Sequence, residues 1–562
     1  MSILGKLFSM IMYDRLLKWS NEYNIFIENQ YGFLPERSTI DCIFILHAII
    51  SKYISAGQQL FCAFVDFKKA FDKIQRNILW NKLISYGVST KMLNMLRSIY
   101  SSVKICVKHN GVCSDFFNSY SGVKQGEPLS PLLFLLFIND INKVGEDCID
   151  LFDIDNFNIF SLLFADDTVL FAKSKQSLQL LLNNLFEYCI DNSIEVNTDK
   201  TKTIVFKKGN KPIKDLTITY DNVELECVDN FIYLGVTLFF NGKWNITQKR
   251  ICEVASRAMY NILDMSNTTT LSTKLKCKVF DSMVSSIANY GSEVWGFHPA
   301  ECIEKMHYKF CKLILGVKKT TCNAAILCEL GRLPFYITRK IKIVKYWIKI
   351  LKNKNNLLYS SYKMLRHDAD VNNNYKGLNW ASNVKSLFES LGLSFMWYDQ
   401  DVSIPNFTIV KQRLYDQFIQ SLFSTIESAD KLCTFRQFKC KFIFEKYFDV
   451  IKEKHLLNNL TRFRLSSHPL LIETGRYENI PRMSRLCKYC NMKVIENEYH
   501  FLLVCPAYID IRKHCLPKYY CHWPNMHKFV SLLSSQNNSI IYKIARYIDR
   551  AFKQRSNLTD QL

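Results

Sequence analysis

Nothing in this 562-residue chain is apolar for long enough to span a bilayer: the longest uninterrupted apolar run, Pro131 to Ile138, falls far short of the roughly 20 residues required. No secretory leader is expected either. Leu4, Leu7, Phe8 and Ile11 recur at helical spacing and lead straight into Asp14 and Arg15, with no small cleavage-site residues. No repeat returns at a fixed period, which excludes a solenoid, and no regular alternation of strands and helices announces a doubly wound parallel sheet. Acidic residues are scarce beside basic ones, 51 against 73, leaving a formal charge of +22 that points to a polyanionic partner. Half of the excess is concentrated in residues 241–350, where 18 Lys or Arg face 7 Asp or Glu. Cysteine is not scarce at 20 residues, but Cys62, Cys106, Cys189, Cys277 and Cys311 each sit alone in an apolar segment, the pattern of reduced thiols and not of a disulfide framework. The chain is therefore expected to be soluble and intracellular, nuclear or cytoplasmic left undecided, with no membrane partner.

What is present divides by composition. Residues 1–240 mix helical and strand-like segments. Ser38 is placed to cap a helix from Thr39 to about Ile54, with Asp41 in its first turn and Gly57 beyond its end. Leu60 to Val65 is a continuous apolar run of strand length, the signature of a strand buried on both faces. Residues 103–120 read as a hairpin around Asn110-Gly111, 130–142 and 175–192 as helices, and Thr203–Phe206 and Phe231–Leu238 as further strands. Residues 241–350 read as helices with basic faces. Lys274, Lys276, Lys278, Lys340, Lys342, Lys345 and Lys349 are the sort of sequence-blind positive charge that grips phosphates. The Asn- and Lys-rich stretch 351–380, with Asn372-Asn373-Asn374, is expected as a linker, 381–470 as a mostly helical connector, and 471–562 as a tail in which Cys and His cluster.

Two groups of residues carry chemistry. Asp166 and Asp167 lie between the apolar runs Leu162–Phe164 and Thr168–Phe171, as carboxylates at a hairpin tip would, although Asp is also an ordinary turn residue. Asp66 ends the apolar run at 60–65. If those strands are neighbours, three carboxylates meet at one sheet edge and need hard divalent cations to neutralise them. Two Mg²⁺ ions about 4 Å apart are the arrangement that serves phosphoryl transfer. Because successive strand residues point to opposite faces, Asp66 and Asp166 are the surer ligands, and Asp167 is partly structural. In the tail, Cys487-Lys488-Tyr489-Cys490 is followed by His500 and Cys505, a spacing that can close a Cys₃His zinc site. The other reading is reduced cysteines packed in a small core. His514, Cys515, Cys521 and His522 are near enough to be rival ligands.

At these residues the sequence resembles a family. Phe164-Ala165-Asp166-Asp167 is similar to the signature box of reverse transcriptases from non-LTR (LINE-like) retrotransposons, and the family's other motifs follow in order. Phe64-Val65-Asp66-Phe67-Lys68-Lys69-Ala70-Phe71-Asp72 resembles its first palm segment, Gly122 to Pro131 the loop and helix beside template and incoming nucleotide, and Gln30-Tyr31-Gly32-Phe33 with Arg37-Ser38-Thr39 the fingers segment before the palm. Asn197 to Lys202 resembles the lysine-bearing palm motif, and Tyr233-Leu234-Gly235-Val236 the strand near the primer grip. The tail run Asn497 to Phe501 with Cys505-Pro506 resembles the C-terminal zinc knuckle of the same elements. The resemblance covers the chain from Met1 to about Ile511.

The resemblance implies an α+β right-hand polymerase: incomplete fingers and an antiparallel palm in 1–240, a thumb-like basic domain in 241–350, a helical region, and a small zinc knuckle. It implies an RNA-directed DNA polymerase that uses Mg²⁺, an RNA template, a DNA primer or target and dNTPs. Asp66, Asp166 and Asp167 would hold the metal pair, Phe71 would stack under the sugar, Gln125 and Gly126 would face the nucleotide, and Lys200 would protonate the pyrophosphate, with Lys202 its rival. Cys487, Cys490, His500 and Cys505 would hold a structural Zn²⁺. Members usually carry an endonuclease ahead of the polymerase, and this chain is expected to begin within the fingers. The alternative expectation is thus a catalytically silent remnant that only binds nucleic acid.

Overall fold

The computed structural model describes residues 3–148, 150–155, 157–213, 216–268, 271–371, 378–400 and 404–559. It is a mixed helix-and-sheet protein that divides into two compact units, the first made of 1–247, 293–295 and 343–402, the second of 248–292, 296–342 and 403–562.

The first unit is organised on a five-stranded sheet: β1 (Leu60–Val65), β2 (Ser161–Phe164), β3 (Asp167–Ala172), β4 (Lys202–Phe206) and β5 (Glu226–Cys227), in the order β5-β4-β1-β3-β2. Every pair is antiparallel except β4–β5, which is parallel, so the fully antiparallel sheet expected from sequence holds for four strands and not at the edge. The apolar run of β1 is explained by burial on both faces. Ala63 and Val65 join the core of Leu178, Leu181, Leu182 and Leu185, while Phe64 stacks on Phe231 with ring centroids 4.5 Å apart. The helix Leu129–Ile138 is so apolar because all of its residues but Pro131 are buried.

Helices fall where their caps and apolar periods place them. Thr39–Ser55 begins after Ser38, whose backbone N–H donates to Asp41 Oδ2 at 2.8 Å. The hairpin at 104–118 turns through Asn110 and Gly111, both at positive φ, as a two-residue hairpin turn demands. Phe231–Leu238 is not one strand but two, Asn230–Tyr233 and Val236–Phe239, paired antiparallel about Leu234 and Gly235 at φ 46° and 81°. A leucine at the first turn position hid the reversal, since apolar residues do not announce turns.

The stretch expected as a linker at 351–380 holds a helix, Leu357–Val371, whose Leu357, Leu358, Tyr362 and Leu365 are buried, so it is a packed element. Asn372, Asn373 and Asn374 lie outside the described residues. The basic helix Phe335–Lys352 also differs from expectation. Lys349 is an ion-pair partner of buried Asp41 at 2.6 Å, which offsets its charge, and Lys342 donates to the carbonyl of Asn289 at 3.0 Å, so both lysines make internal contacts.

The second unit is helical. A stack of Phe280 on Phe310, centroids 3.8 Å apart, joins the helices Thr273–Ala288 and Glu301–Leu315, and a buried network pairs Arg464 with Glu329 and Glu445. Among the described residues no helix is long and apolar enough to cross a membrane.

Candidate active site

The carboxylates converge as the strand reading requires. β1 pairs β3 with Val65 opposite Thr168, and continuing the register by one residue sets Asp66 opposite Asp167, on the same face of the pair. Asp166 occupies the two-residue turn between β2 and β3, beside Ala165 at φ 58°. Burial, and then repulsion from Asp66, holds the Asp166 carboxyl above the ordinary carboxylate value of 3.8. Asp167 is raised by burial, by Asp166 and by Asp66. Three acids gathered at the ends of β1 and β3 form a site that calls for compensating positive charge, and hard oxygen donors of this kind fit divalent cations.

A second layer fixes the hairpin. Gln30 and Leu163 form a parallel bridge, Tyr31 N–H donating to Leu163 O at 2.8 Å and Leu163 N–H to Asn29 O at 2.9 Å. The Gln30 side-chain oxygen accepts from the N–H of Gly32 at 2.7 Å and from the N–H of Ala165 at 3.0 Å, clamping the turn that carries Asp166. Gly32 is there because nothing larger fits: a Cβ at that position would stand 2.3 Å from Ala165 N and 2.9 Å from Phe164 C. Arg37, which sequence alone placed only in a fingers motif, braces the same loop by donating to the carbonyls of Ile27, Glu28 and Gln30 at 3.2, 3.0 and 2.6 Å.

Phe71 lies between two other rings, stacked on Phe134 at 4.5 Å and edge-on to Phe33 at 6.4 Å; Phe33 in turn lies 6.5 Å from Phe164, the residue two before Asp166. Core packing is thus true of Phe71, which reaches the hairpin of the acids only through Phe33. Gln125 Nε2 donates to Asp72 Oδ1 at 3.0 Å. Gly126 has φ 82° and open space where a Cβ would be, so its backbone conformation, not crowding, is what calls for glycine. Glu127, which drew no attention in the sequence, is buried and accepts from Ser9 Oγ at 2.5 Å and Tyr100 OH at 3.0 Å, anchoring this loop from below.

The turn Asn197–Thr201 closes the other flank. Asn197 N–H donates to Asp66 O at 2.7 Å and Asp66 N–H to Thr201 Oγ1 at 3.2 Å. Lys200 Nζ stands 3.7 Å from Asp66 Oδ2, its side chain 70% exposed, whereas Lys202 Nζ is held by Glu226 at 2.7 Å. Both lysines, Asp66, Asp167, Asp199 and Tyr233 line a cleft of about 570 Å³. Asp167, expected to be partly structural, lines this cleft with Asp66, and Asp166 is not among its lining.

In the tail, Cys487, Cys490, His500 and Cys505 come together with their ligand atoms all within 4.8 Å of one another. The antiparallel bridge Leu486–Ile495 turns the first two cysteines, and Cys505 N–H donates to His500 O at 2.7 Å to set the last two. Cys487 Sγ and Cys505 Sγ lie 3.9 Å apart, close to the about 3.8 Å that tetrahedral sulfurs bonded at about 2.3 Å to one ion would show. The rivals are elsewhere: Cys521 Sγ donates to Arg512 O and Cys515 Sγ faces Arg550.

Parts of the chain are similar to known proteins. Residues 1–238 match the reverse transcriptase (RNA-dependent DNA polymerase) family. The chain is 26% identical over 223 residues to the retrovirus-related Pol polyprotein from the type-2 retrotransposable element R2DM of Drosophila melanogaster, covering 38% of this chain and 21% of that protein. It is 26% identical over 315 residues to the probable RNA-directed DNA polymerase from transposon BS of the same species, 53% of this chain and 33% of that one, and 22% identical over 349 residues to the one from transposon X-element, 57% and 36%. The matches thus span about a fifth to a third of the length of these relatives. Among solved structures, telomerase from Candida tropicalis aligns with 70% of this chain and 57% of that one, at 11% identity and a TM-score of 0.33.

Proposed function

From the premise that residues 1–238 carry a reverse transcriptase domain of the non-LTR retrotransposon type, we propose that this protein is an RNA-directed DNA polymerase that extends a DNA primer on an RNA template. The observation that carries the reading is the convergence of Asp66, Asp166 and Asp167 at the edge of the five-stranded sheet. In this reading the sheet is a polymerase palm, the segment 30–39 belongs to the fingers, and the basic segment 241–350 serves as a thumb. Asp66, Asp166 and Asp167 hold the Mg²⁺ pair, which when bound supplies charge neutralisation for the attacking and leaving oxygens. Phe71 supports the sugar of the incoming dNTP, and Gln125 and Gly126 flank it.

Lys200 Nζ donates a proton to the departing pyrophosphate; its exposure on the cleft beside Asp66 leaves it able to move, whereas Lys202 is tied to Glu226. Lys200→Ala is expected to slow single-turnover extension by about 10²-fold, and Lys202→Ala to leave it nearly unchanged; the reverse pattern would exchange the two roles. The function itself is tested by primer extension on poly(rA)/oligo(dT) with dTTP and Mg²⁺, comparing the intact chain with Asp66→Asn. Extension by the intact chain alone supports the enzyme. No extension by the intact chain above the Asp66→Asn background leaves only nucleic-acid binding.

Cys487, Cys490, His500 and Cys505 bind one structural Zn²⁺, whose soft sulfur-rich donor set and spacing suit that ion. Chelation is expected to release about one zinc per chain and to raise amide exchange across residues 486–505 without altering the 60–65 strand. Exchange that is unchanged after metal loss would make the cluster a packed thiol core.

A further inference from the structure

A second cavity, of about 450 Å³, lies wholly within the second unit between the loop 296–300 and the helices Glu301–Leu315 and Phe335–Lys352. Its lining is unlike that of the carboxylate cleft. Phe297, Tyr308 and Tyr336 present aromatic surface; Lys305, ion-paired with the lining Glu301 at 3.1 Å, and Lys340 carry positive charge, and a further cation, Arg339, lines it while only 1% exposed. The guanidinium is fixed there by an ion pair to Glu304 at 2.8 Å, and the second Glu304 oxygen accepts the N–H of Phe335 at 3.1 Å. Lys340 Nζ sits over the Tyr336 ring, 5.8 Å from its centroid.

We propose that this cavity receives one unpaired nucleobase of a single-stranded nucleic acid, its face on the aromatic rings, its edge toward the Arg339–Glu304 pair and its phosphates toward Lys305 and Lys340. Each part of the lining selects for that chemistry. Flat π-surfaces reward any base by stacking, independent of sequence. A buried guanidinium–carboxylate pair offers both donors and acceptors, which a base edge can satisfy and an apolar side chain would leave unmatched. A volume of this size admits one small group and no double helix, so a duplex gripped elsewhere does not compete for it. The inference draws on the lining and on the charge of residues 241–350, not on the polymerase reading, and either can fail alone.

The test uses the full chain and short single-stranded oligonucleotides carrying one 4-thiouridine in RNA or one 4-thiothymidine in DNA. Irradiation is expected to crosslink peptides within 296–340, and the arm that reacts identifies whether RNA, DNA or both supply the base. Binding is then compared for intact oligonucleotides and for the same backbones made abasic. Tyr336→Ala, at the rim, and Tyr308→Ala should each weaken the intact ligand by about five-fold or more and leave the abasic ligand unaffected, with unchanged melting of the Tyr336 variant as control. Equal losses on both ligands, no loss on either, or crosslinks that avoid 296–340 would overturn the proposal.

Discussion

Asp166→Ala is expected to abolish templated extension, by about 10³-fold or more, and at the same time to make the metal-free protein more stable. Both effects have one cause. Asp166 and Asp167 are each held above the ordinary carboxylate value of 3.8 by burial and by neighbouring acids. A folded-state pKa above the unfolded one means that the folded chain binds more protons in the window just above 3.8, so folding stability falls as pH rises through it. Above that window, the burial and neighbouring charge that raise Asp166 and Asp167 oppose folding. Removing one relieves the others. In EDTA, the Tm of Asp166→Ala should exceed that of the unaltered chain at pH 7, and the gap should close as the pH is lowered toward the ordinary carboxylate range. Added Mg²⁺ should raise the Tm of the unaltered chain and do much less for the variant. A variant that melts earlier in EDTA at pH 7 would mean that Asp166 holds the turn together and is not strained by its neighbours. One that still extends primer would move the chemistry elsewhere.

The second large effect is expected at a residue without a functional group. Gly32→Ala puts a methyl group 2.3 Å from Ala165 N and 2.9 Å from Phe164 C, both of them backbone atoms that cannot rotate away. The segment Gln30–Phe33 or the hairpin turn must shift. Overpacking of this kind typically costs about 1–3 kcal/mol, and a displacement of about 1 Å in a catalytic group costs on the order of 10²-fold in rate. Denaturant melts and single-turnover extension should therefore both change. Gln30→Ala separates the contributions. It deletes the acceptor for the Gly32 and Ala165 N–H groups without crowding them, so it should lower the rate more than it lowers stability. Gly32→Ala with unaltered extension would mean that the hairpin tolerates movement and that the clamp has no bearing on the acids.

The tip at Asp166–Asp167 and its partner Asp66 could be read from the chain because they interrupt apolar runs, and an interruption by charge is a local signal. The same holds for the Cys487–Cys505 set, where ligand types and spacing lie within 19 residues of one another, and for the helix at 39–55, which states its own cap. The parallel edge pair β4–β5, the hairpin concealed in Phe231–Leu238 and the helix in the supposed linker were not legible. Each depends on which surface a segment meets, and segment composition carries no such information. Gly32 shows the division most plainly. Its sequence context marked a motif, but the reason for glycine is a backbone 133 positions away at Ala165, and only the folded chain brings the two together. Lys342 and Lys349 are the converse case: their charge was evident in the sequence, while the Asn289 carbonyl and the Asp41 carboxylate that engage them are long-range neighbours. By itself the sequence determined which chemical groups are available, because residue type and local spacing fix donors, charges and strand or helix period. Tertiary structure alone decided which of those groups are spent internally and which remain exposed on a cleft, because pairing and burial are set by contacts between segments far apart in the chain.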